Sequence, residues 1–259
     1  MNGEQVLEGG NSNVVVKVGE TVRRLTGPHS EAVHTLLRHL ENAGFDASPR
    51  FLGIDDRGRE ILTFIEGQVA NYPMDDEARS LAALESAAAI LRGLHDATQE
   101  LHLPSGYANH AISGTTPEVV CHWDAAPYNY VFDGVRAVGL IDFDNAGPGR
   151  RIDDLAYFSY RFAPLCDDSN LDDAGWDADV DRFGRLRRIA ELYPDPRWRD
   201  LPELIVDRLE RMKDWILSHV DSGDPGFETH VKNDHCGIYT RDQAFVGAAR
   251  HEIIAAVNL

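Results

Sequence analysis

Asp124, an asparagine five positions on at Asn129, and a second aspartate at a strand end, Asp142, are the residues of this sequence best suited to chemistry. Carboxylate and carboxamide oxygens are the hard donors that Mg²⁺ takes. Moving a phosphoryl group onto a hydroxyl needs one carboxylate to orient or deprotonate the attacking oxygen, and others to hold the cation that neutralises the phosphates. The stretch Cys121-His122-Trp123-Asp124-Ala125-Ala126-Pro127-Tyr128-Asn129 supplies D-x-x-x-x-N, and Leu140-Ile141-Asp142-Phe143-Asp144 follows one hairpin later. On this reading Asp124 is the base, and Asn129 and Asp142 are the metal ligands. His122 is assigned to packing and bonding the loop backbone.

These residues need elements to position them. Glu4 to Glu8, Val14 to Val18 and Thr21 to Leu25 are short β-forming runs broken by Gly and Asn, which predicts strands joined by tight turns. Ser30 to Ala43 reads as a helix, with Ser30 as N-cap, Val33, Leu36, Leu37 and Leu40 at helical spacing, and Gly44 as its stop. Two more strands, Arg50 to Ile54 and Glu60 to Ile65, are joined through Asp56-Arg57-Gly58. From about Gly67 the pattern turns helical. Leu81, Leu84, Ala88, Leu91, Leu94 and His95 form an apolar stripe on a helix ending near Thr98. Val119 to Cys121 and Tyr130 to Phe132 read as strands flanking the Asp124 loop, with a hairpin through Asp133-Gly134 into Ala137 to Ile141. The expected fold is α+β and bilobal. Residues 1–66 form a β-rich, nucleotide-binding lobe with one helix, and residues 67–259 form a mainly helical lobe that carries catalysis and the acceptor.

The ordered set resembles the aminoglycoside phosphotransferase and choline-kinase branch of the protein-kinase-like fold. That branch carries H-G-D or H-N-D, four residues, Asn, and then I-D-[WFL]-[DEG]. This chain has His122-Trp123-Asp124, Asn129 and Ile141-Asp142-Phe143-Asp144. Asp153-Asp154-Leu155-Ala156-Tyr157 is similar to the branch's D-L-A helix start, which supports the loop, and Leu91-Arg92-Gly93-Leu94-His95 to its L-x-x-L-H helix end. Leu62-Thr63-Phe64-Ile65-Glu66-Gly67 looks like the interlobe hinge, so the backbone of Phe64 and Ile65 is expected to bind adenine. The resemblance implies an ATP- or GTP-dependent, Mg²⁺-requiring kinase of a small hydroxylated molecule.

The chain also departs from the family pattern. There is no G-x-G-x-x-G, so Gly9-Gly10-Asn11-Ser12-Asn13, chiefly Gly10, Asn11 and Ser12, must offer backbone amides to the phosphates. The phosphate-pairing cation is either Arg24, on the third strand where a kinase places it, or Lys17 on the second. Arg is a competent phosphate clamp, which favours Arg24. The helix glutamate that partners this cation has no clear counterpart; Glu31 is the one acid in the first turn. Trp123 is bulkier than the family's usual residue, with an expected effect on the acceptor side.

Composition bounds the partners. The chain has 259 residues, 43 acidic against 25 basic, and a formal charge of −18. Such a surface repels nucleic acid and anionic membranes. No apolar run approaches the roughly 20 residues of a membrane span, and no secretory signal is evident, so a cytoplasmic location is expected. Three widely spaced cysteines suit a reducing compartment. The stretch from His230 to Cys236 matches no common four-ligand zinc spacing. Asp207, Glu210 and Asp214 recur on one predicted helix face. With Arg208 and Arg211 on the same helix, that face reads either as a solvated surface or as Asp207 and Glu210 holding a cationic acceptor. The family resemblance implies an aminoglycoside-like acceptor, with choline, homoserine, sugar and other antibiotic kinases as the alternatives within the class. Outside it stand a catalytically silent nucleotide-binding module, disfavoured by the intact acids, and a metal-dependent hydrolase, disfavoured by the order of strand, hinge and helix.

Overall fold

The computed structural model describes residues 3–7, 14–99, 101, 115–221 and 231–258. The short β-forming runs build a five-stranded antiparallel sheet: β1 (Gln5–Val6), β2 (Val16–Val18), β3 (Thr21–Leu25), β4 (Phe51–Ile54) and β5 (Arg59–Thr63), in the order β1-β2-β3-β5-β4. β2 starts at Val16 rather than Val14 because only Val16–Val18 finds partners on β3, and Val14 is left exposed. On the β3–β5 ladder Val22 stands opposite Leu62 and Arg24 opposite Glu60, so an apolar pair and a charged pair share one face.

The helix α1 (Ser30–Asn42) covers the sheet with Val33, Leu36, Leu37 and Leu40, all buried at the predicted spacing. Ser30 opens this helix without capping it. Its Oγ accepts the Gly27 N–H at 2.8 Å, closing the preceding turn, and His29 takes the cap position. Gly44 lies just past the helix at φ 74° and bonds back to the Glu41 carbonyl, as a C′ glycine does.

Two small sheets then frame the loop that carries Asp124. In one, β6 (Gln68–Val69), β8 (Tyr130–Asp133) and β9 (Arg136–Leu140) lie in the order β6-β8-β9; in the other, β7 (Val119–Cys121) pairs antiparallel with β10 (Gly147–Gly149). Neither β6 nor β10 is anticipated by the sequence, since a two-residue strand and a Gly-Pro-Gly strand carry no pattern of their own. The helices are α2 (Asp76–Arg79), α3 (Leu81–Thr98), α4 (Arg151–Phe162), α5 (Leu171–Ala174), α6 (Arg182–Leu192), α7 (Leu201–Asp221), α8 (His235–Ala248) and α9 (Arg250–Val257). Ser80 caps α3 by accepting the Ala83 N–H at 3.1 Å. α4 is buried almost all round, with α6 and α7 packed against it, so it fixes the loop from below. Among the described residues no helix is long and apolar enough to cross a membrane. Cys121, Cys166 and Cys236 are free thiols, the first two buried.

Candidate active site

The loop after β7 is held by its backbone. Trp123 adopts a left-handed conformation (φ 63°), which turns consecutive N–H groups toward the N-terminus of α4. There the Asp154 carboxylate accepts the His122 N–H at 2.6 Å and the Trp123 N–H at 2.8 Å. His95, at the end of α3, completes the set with Nε2 at 3.0 Å from Asp154, and its Nδ1 meets the Tyr193 hydroxyl at 2.8 Å. Burial opposes the charge on Asp154, yet the bonds from His95 and the loop amide hold its carboxyl below the ordinary range. The two sequence features expected to support the loop, Asp154 and His95, therefore meet each other beneath it. Their proximity to Cys121 brings together three groups of metal-ligating type, but Asp154 is already saturated by loop donors.

The bulk of Trp123 is directed inward. Its side chain is 1% exposed, its Nε1–H donates to the Gly147 carbonyl at 3.2 Å, and it fills the space under β10. Gly149 makes that possible, because a Cβ there would lie 2.6 Å from Cys121 Sγ and 2.7 Å from the indole ring.

Asp124 emerges from this anchored loop partly exposed. Its Oδ1 accepts the Tyr128 hydroxyl at 2.8 Å, and Asn129 Nδ2 donates to both its Oδ2 and its carbonyl, each at 2.9 Å. Both contacts come from the short 3₁₀ turn Pro127–Asn129, which sets the spacing of Asp and Asn. Because Nδ2 is spent on Asp124, the side-chain oxygen Oδ1 of Asn129 is the atom left for a cation. Burial pushes the Asp124 carboxyl up, against the lowering effect of Tyr128, His122 and Arg208, and the Asp142 charge adds to the rise.

The second aspartate is brought alongside by two bonds between loops. Ile141 N–H donates to the Asn129 carbonyl at 2.8 Å, and His122 Nε2 bonds the Ile141 carbonyl at 2.9 Å. His122 also packs edge-on against Phe143 and is fully buried, consistent with its structural assignment. Asp142 then sits in a left-handed conformation (φ 64°, ψ 64°) before the turn Phe143–Asn145, with half of its side chain exposed. A backbone bent this way projects the carboxylate off the strand end.

Arg24 arrives from β3 of the five-stranded sheet. Its Nε pairs with Glu60, its Nη1 donates to Asp142 at 3.1 Å and to Asp144 at 3.0 Å, and its Nη2 also reaches Asp144. Although burial disfavours its charge, these carboxylates hold the guanidinium above its ordinary pKa. Asp144 is raised by burial and by Asp142, with Arg24 opposing. Glu60, 1% exposed, is gripped a second time by His34 of α1, whose Nε2 lies 2.5 Å from it and whose ring stacks on Phe51 at 3.7 Å. The acid that partners the strand cation thus comes from β5, not from α1, and Glu31 is exposed. The signal for Glu60 was present as a lone acid before Ile61-Leu62, but only the strand register shows that it faces inward.

Lys17 lies elsewhere, with its Nζ 3.1 Å from Glu66 and 3.5 Å from the centroid of the Phe64 ring. It packs beside the segment that joins β5 to β6. Phe64 and Ile65 fall in the segment between β5 and β6, with Phe64 N–H bonded to the Glu20 carbonyl at 2.9 Å. Gly10, Asn11 and Ser12 lie outside the described residues.

On α7, Asp207 and Glu210 are exposed, and Glu210 is engaged by Lys213 at 2.7 Å and Gln243 at 2.9 Å. The structure does not bring them to Asp124. The residue of α7 that reaches the loop is Arg208, which is buried, donates to the Trp123 carbonyl and lies 5.1 Å from the Tyr157 ring. One turn on, Arg211 lies over the Trp123 ring at 5.5 Å. Arg208 and Glu210 lie on different sides of this helix, whereas Asp207 and Arg211, four residues apart, are neighbours on it.

The model of a phosphotransferase enzyme family matches residues 100–192, which include the Asp124 loop and the Asp142 turn. Over 200 residues the chain is 36% identical to the trifolitoxin immunity protein of Rhizobium leguminosarum bv. trifolii, covering 74% of this chain and 75% of that one. The chain belongs to the phosphotransferase enzyme family. Solved structures similar to it include a choline/ethanolamine kinase family protein from Mesorhizobium loti, 17% identical with a TM-score of 0.57 over 98% of this chain and 92% of the other. A streptomycin–ATP–APH(2″)-IIa ternary complex is 16% identical, with a TM-score of 0.57 over 88% and 91%. The fold is the bilobal kinase-like α+β fold of these phosphotransferases.

Proposed function

We propose that this protein is a small-molecule kinase that transfers the γ-phosphoryl group of ATP or GTP to a hydroxyl of a small toxic compound. The observation that carries this reading is the pairing of Asp124, fixed by Tyr128 and Asn129, with Asp142, joined to the same loop through the Asn129 carbonyl and the Ile141 N–H. In the proposed step the acceptor oxygen attacks the γ-phosphorus and the bond to the β–γ bridging oxygen breaks. The hydroxyl proton passes to Asp124 and the nucleoside diphosphate leaves. A carboxylate raised by burial is better matched to that proton than a solvated one.

Asn129 and Asp142 suit Mg²⁺, since one offers its side-chain Oδ1, with Nδ2 turned to Asp124, and the other a half-exposed carboxylate. When bound, the ion neutralises phosphate charge. Arg24, between Asp142 and Asp144, is the proposed phosphate clamp. Phe64 and Ile65 would hold the base from the segment between β5 and β6, which assigns residues 1–66 to the nucleotide and 67–259 to catalysis and acceptor. The relative's name, an immunity protein against trifolitoxin, supports a role in antibiotic resistance, and the ternary complex with streptomycin and ATP supports a nucleotide co-substrate. A cytoplasmic location fits a nucleotide-dependent enzyme with free thiols.

The test is an acceptor screen with the purified protein, MgATP or MgGTP, and detection of nucleoside diphosphate. Acceptor-dependent release that vanishes in Asp124→Ala supports the proposal. Diphosphate release that needs no acceptor in both proteins would point to hydrolysis instead.

A further inference from the structure

Beside Asp124 lies a cluster of rings around one cation. Arg161, in the last turn of α4, lies 5.6 Å from the ring of Tyr72, 5.8 Å from Tyr128, 5.4 Å from Tyr157 and 5.0 Å from Tyr160. Its Nε–H donates to the Tyr157 hydroxyl at 3.1 Å, that hydroxyl meets the Tyr128 hydroxyl at 3.1 Å, and Tyr128 donates to Asp124 at 2.8 Å. Tyr157 and Tyr160 are buried, whereas Arg161, Tyr72 and Tyr128 are partly exposed. The cluster, like Asp124 to which Tyr128 ties it, is thus partly open to solvent.

A second arginine shares the Tyr157 ring. Arg208 lies 5.1 Å from it, is only 7% exposed, and has its Nε without a hydrogen-bond partner. Neither Arg161 nor Arg208 has a carboxylate within ion-pair distance among the described residues. By contrast Arg24, Arg59, Arg79, Arg150, Arg182 and Arg197 are each ion-paired. A desolvated guanidinium without an anion is costly, and ring faces repay only part of that cost. The acids facing this pair do not balance it. Asp124 is one charge held by Tyr128 and Asn129, Asp242 lies behind Tyr160 and accepts its hydroxyl at 2.6 Å, and Asp142 is paired with Arg24. In a chain of net charge −18, two such arginines beside the proposed base mark a place for an anion.

We propose that the acceptor carries a carboxylate, received by Arg161 at the mouth of the tyrosine cluster with Arg208 behind it, while its hydroxyl lies at Asp124. This rests on the kinase reading for the hydroxyl and on the arginines alone for the carboxylate. Arg161 forks bidentately onto a carboxylate, and Tyr72 and Tyr128 flank the organic part with their rings. The acceptor is thus an acidic or zwitterionic hydroxy compound rather than the cationic, aminoglycoside-like one expected from the sequence.

The experiment uses the full chain with MgADP and a panel of small hydroxylated compounds, each as free carboxylate and as primary amide. Thermal unfolding and calorimetry read binding in wild type, Arg161→Gln and Arg161→Lys, and the same panel with MgATP reads turnover. Carboxylates should bind at least about tenfold tighter than their amides, the difference expected of one charge-assisted contact. That preference should collapse in Arg161→Gln and return in part in Arg161→Lys, with MgADP affinity unchanged in both. Equal binding of acid and amide, a preference for amines, or an acid preference that survives Arg161→Gln would overturn the inference. Carboxylates that bind through Arg161 without being phosphorylated would uphold it and count against the kinase reading; phosphorylation of amides or amines alone would do the reverse.

Discussion

Glu60 stands opposite Arg24 across the β3–β5 ladder, and its buried carboxylate is shared between that guanidinium and the imidazole of His34. The strand cation is therefore positioned through a strand acid, and α1 acts on it only through His34. Glu60→Gln is expected to raise the nucleotide KM several-fold, because Arg24 loses the anchor on its Nε and is drawn further onto Asp142 and Asp144. Arg24→Ala should raise it more, and His34→Ala less. Lys17→Ala, beside Glu66 and Phe64, should have the smallest effect of the four. A Lys17 variant that loses more affinity than the Arg24 variant would reassign the clamp.

Asp124→Ala should lower kcat by roughly a hundredfold or more while leaving nucleotide affinity near wild type, the range expected of a positioned acid–base group. Tyr128→Phe gives a finer test. The Tyr128 hydrogen bond lowers the Asp124 pKa against the rise that burial causes, so its loss should raise that pKa further. The base works deprotonated. The acid limb of kcat/KM against pH should therefore move to higher pH in Tyr128→Phe, with activity near the alkaline plateau less affected. A limb that stays in place, or moves down, would remove Asp124 from the titration.

Asp142→Asn is the informative change at the second aspartate. Asn tolerates the left-handed backbone found there, so the substitution removes charge with little added strain. Mg²⁺-dependent nucleotide affinity, read by calorimetry with and without the ion, should drop at least several-fold, and turnover with it. Unchanged affinity together with intact turnover would exclude Asp142 as a metal ligand.

The site was legible where chemistry and spacing coincide in a short stretch. Asp124 and Asn129 lie in one turn, and Asp142 follows a hairpin whose Asp133-Gly134 signal is local. The apolar periodicity of α1 was equally readable, and so was that of α3 from Leu84 to His95, but Leu81, read as part of the same stripe, lies at the start of the helix and is exposed. What escaped depends on distant pairing. Glu60 reads as an ordinary strand acid until the register sets it against Arg24, and β10 exists only because Gly147–Gly149 finds β7. On α7 the carboxylates at i, i+3 and i+7 form a face as regular as the arginines at 208 and 211, and periodicity alone cannot say which face meets the loop. Packing against Trp123 and Tyr157 decides it.

The last prediction concerns the anchor under the loop. Asp154 accepts two consecutive loop N–H groups and the imidazole of His95, all buried, so Asp154→Ala strands these donors where water does not reach them. Each orphaned buried donor costs about 1–3 kcal/mol, which places the total loss of stability at roughly 3 kcal/mol or more. Urea unfolding measures it. The carboxyl is held below its ordinary value of 3.8, so its contribution is fully present above that pH and is lost as the pH falls through the lower, folded value. The difference in stability between wild type and Asp154→Ala should therefore be constant near neutrality and shrink only at strongly acid pH. Because the loop amides are the bonded groups, hydrogen exchange at His122 and Trp123 should accelerate even at pH 7. If exchange there is unchanged while global stability falls, Asp154 supports α4 rather than the loop, and the left-handed turn at Trp123 must be held by Arg208 from above.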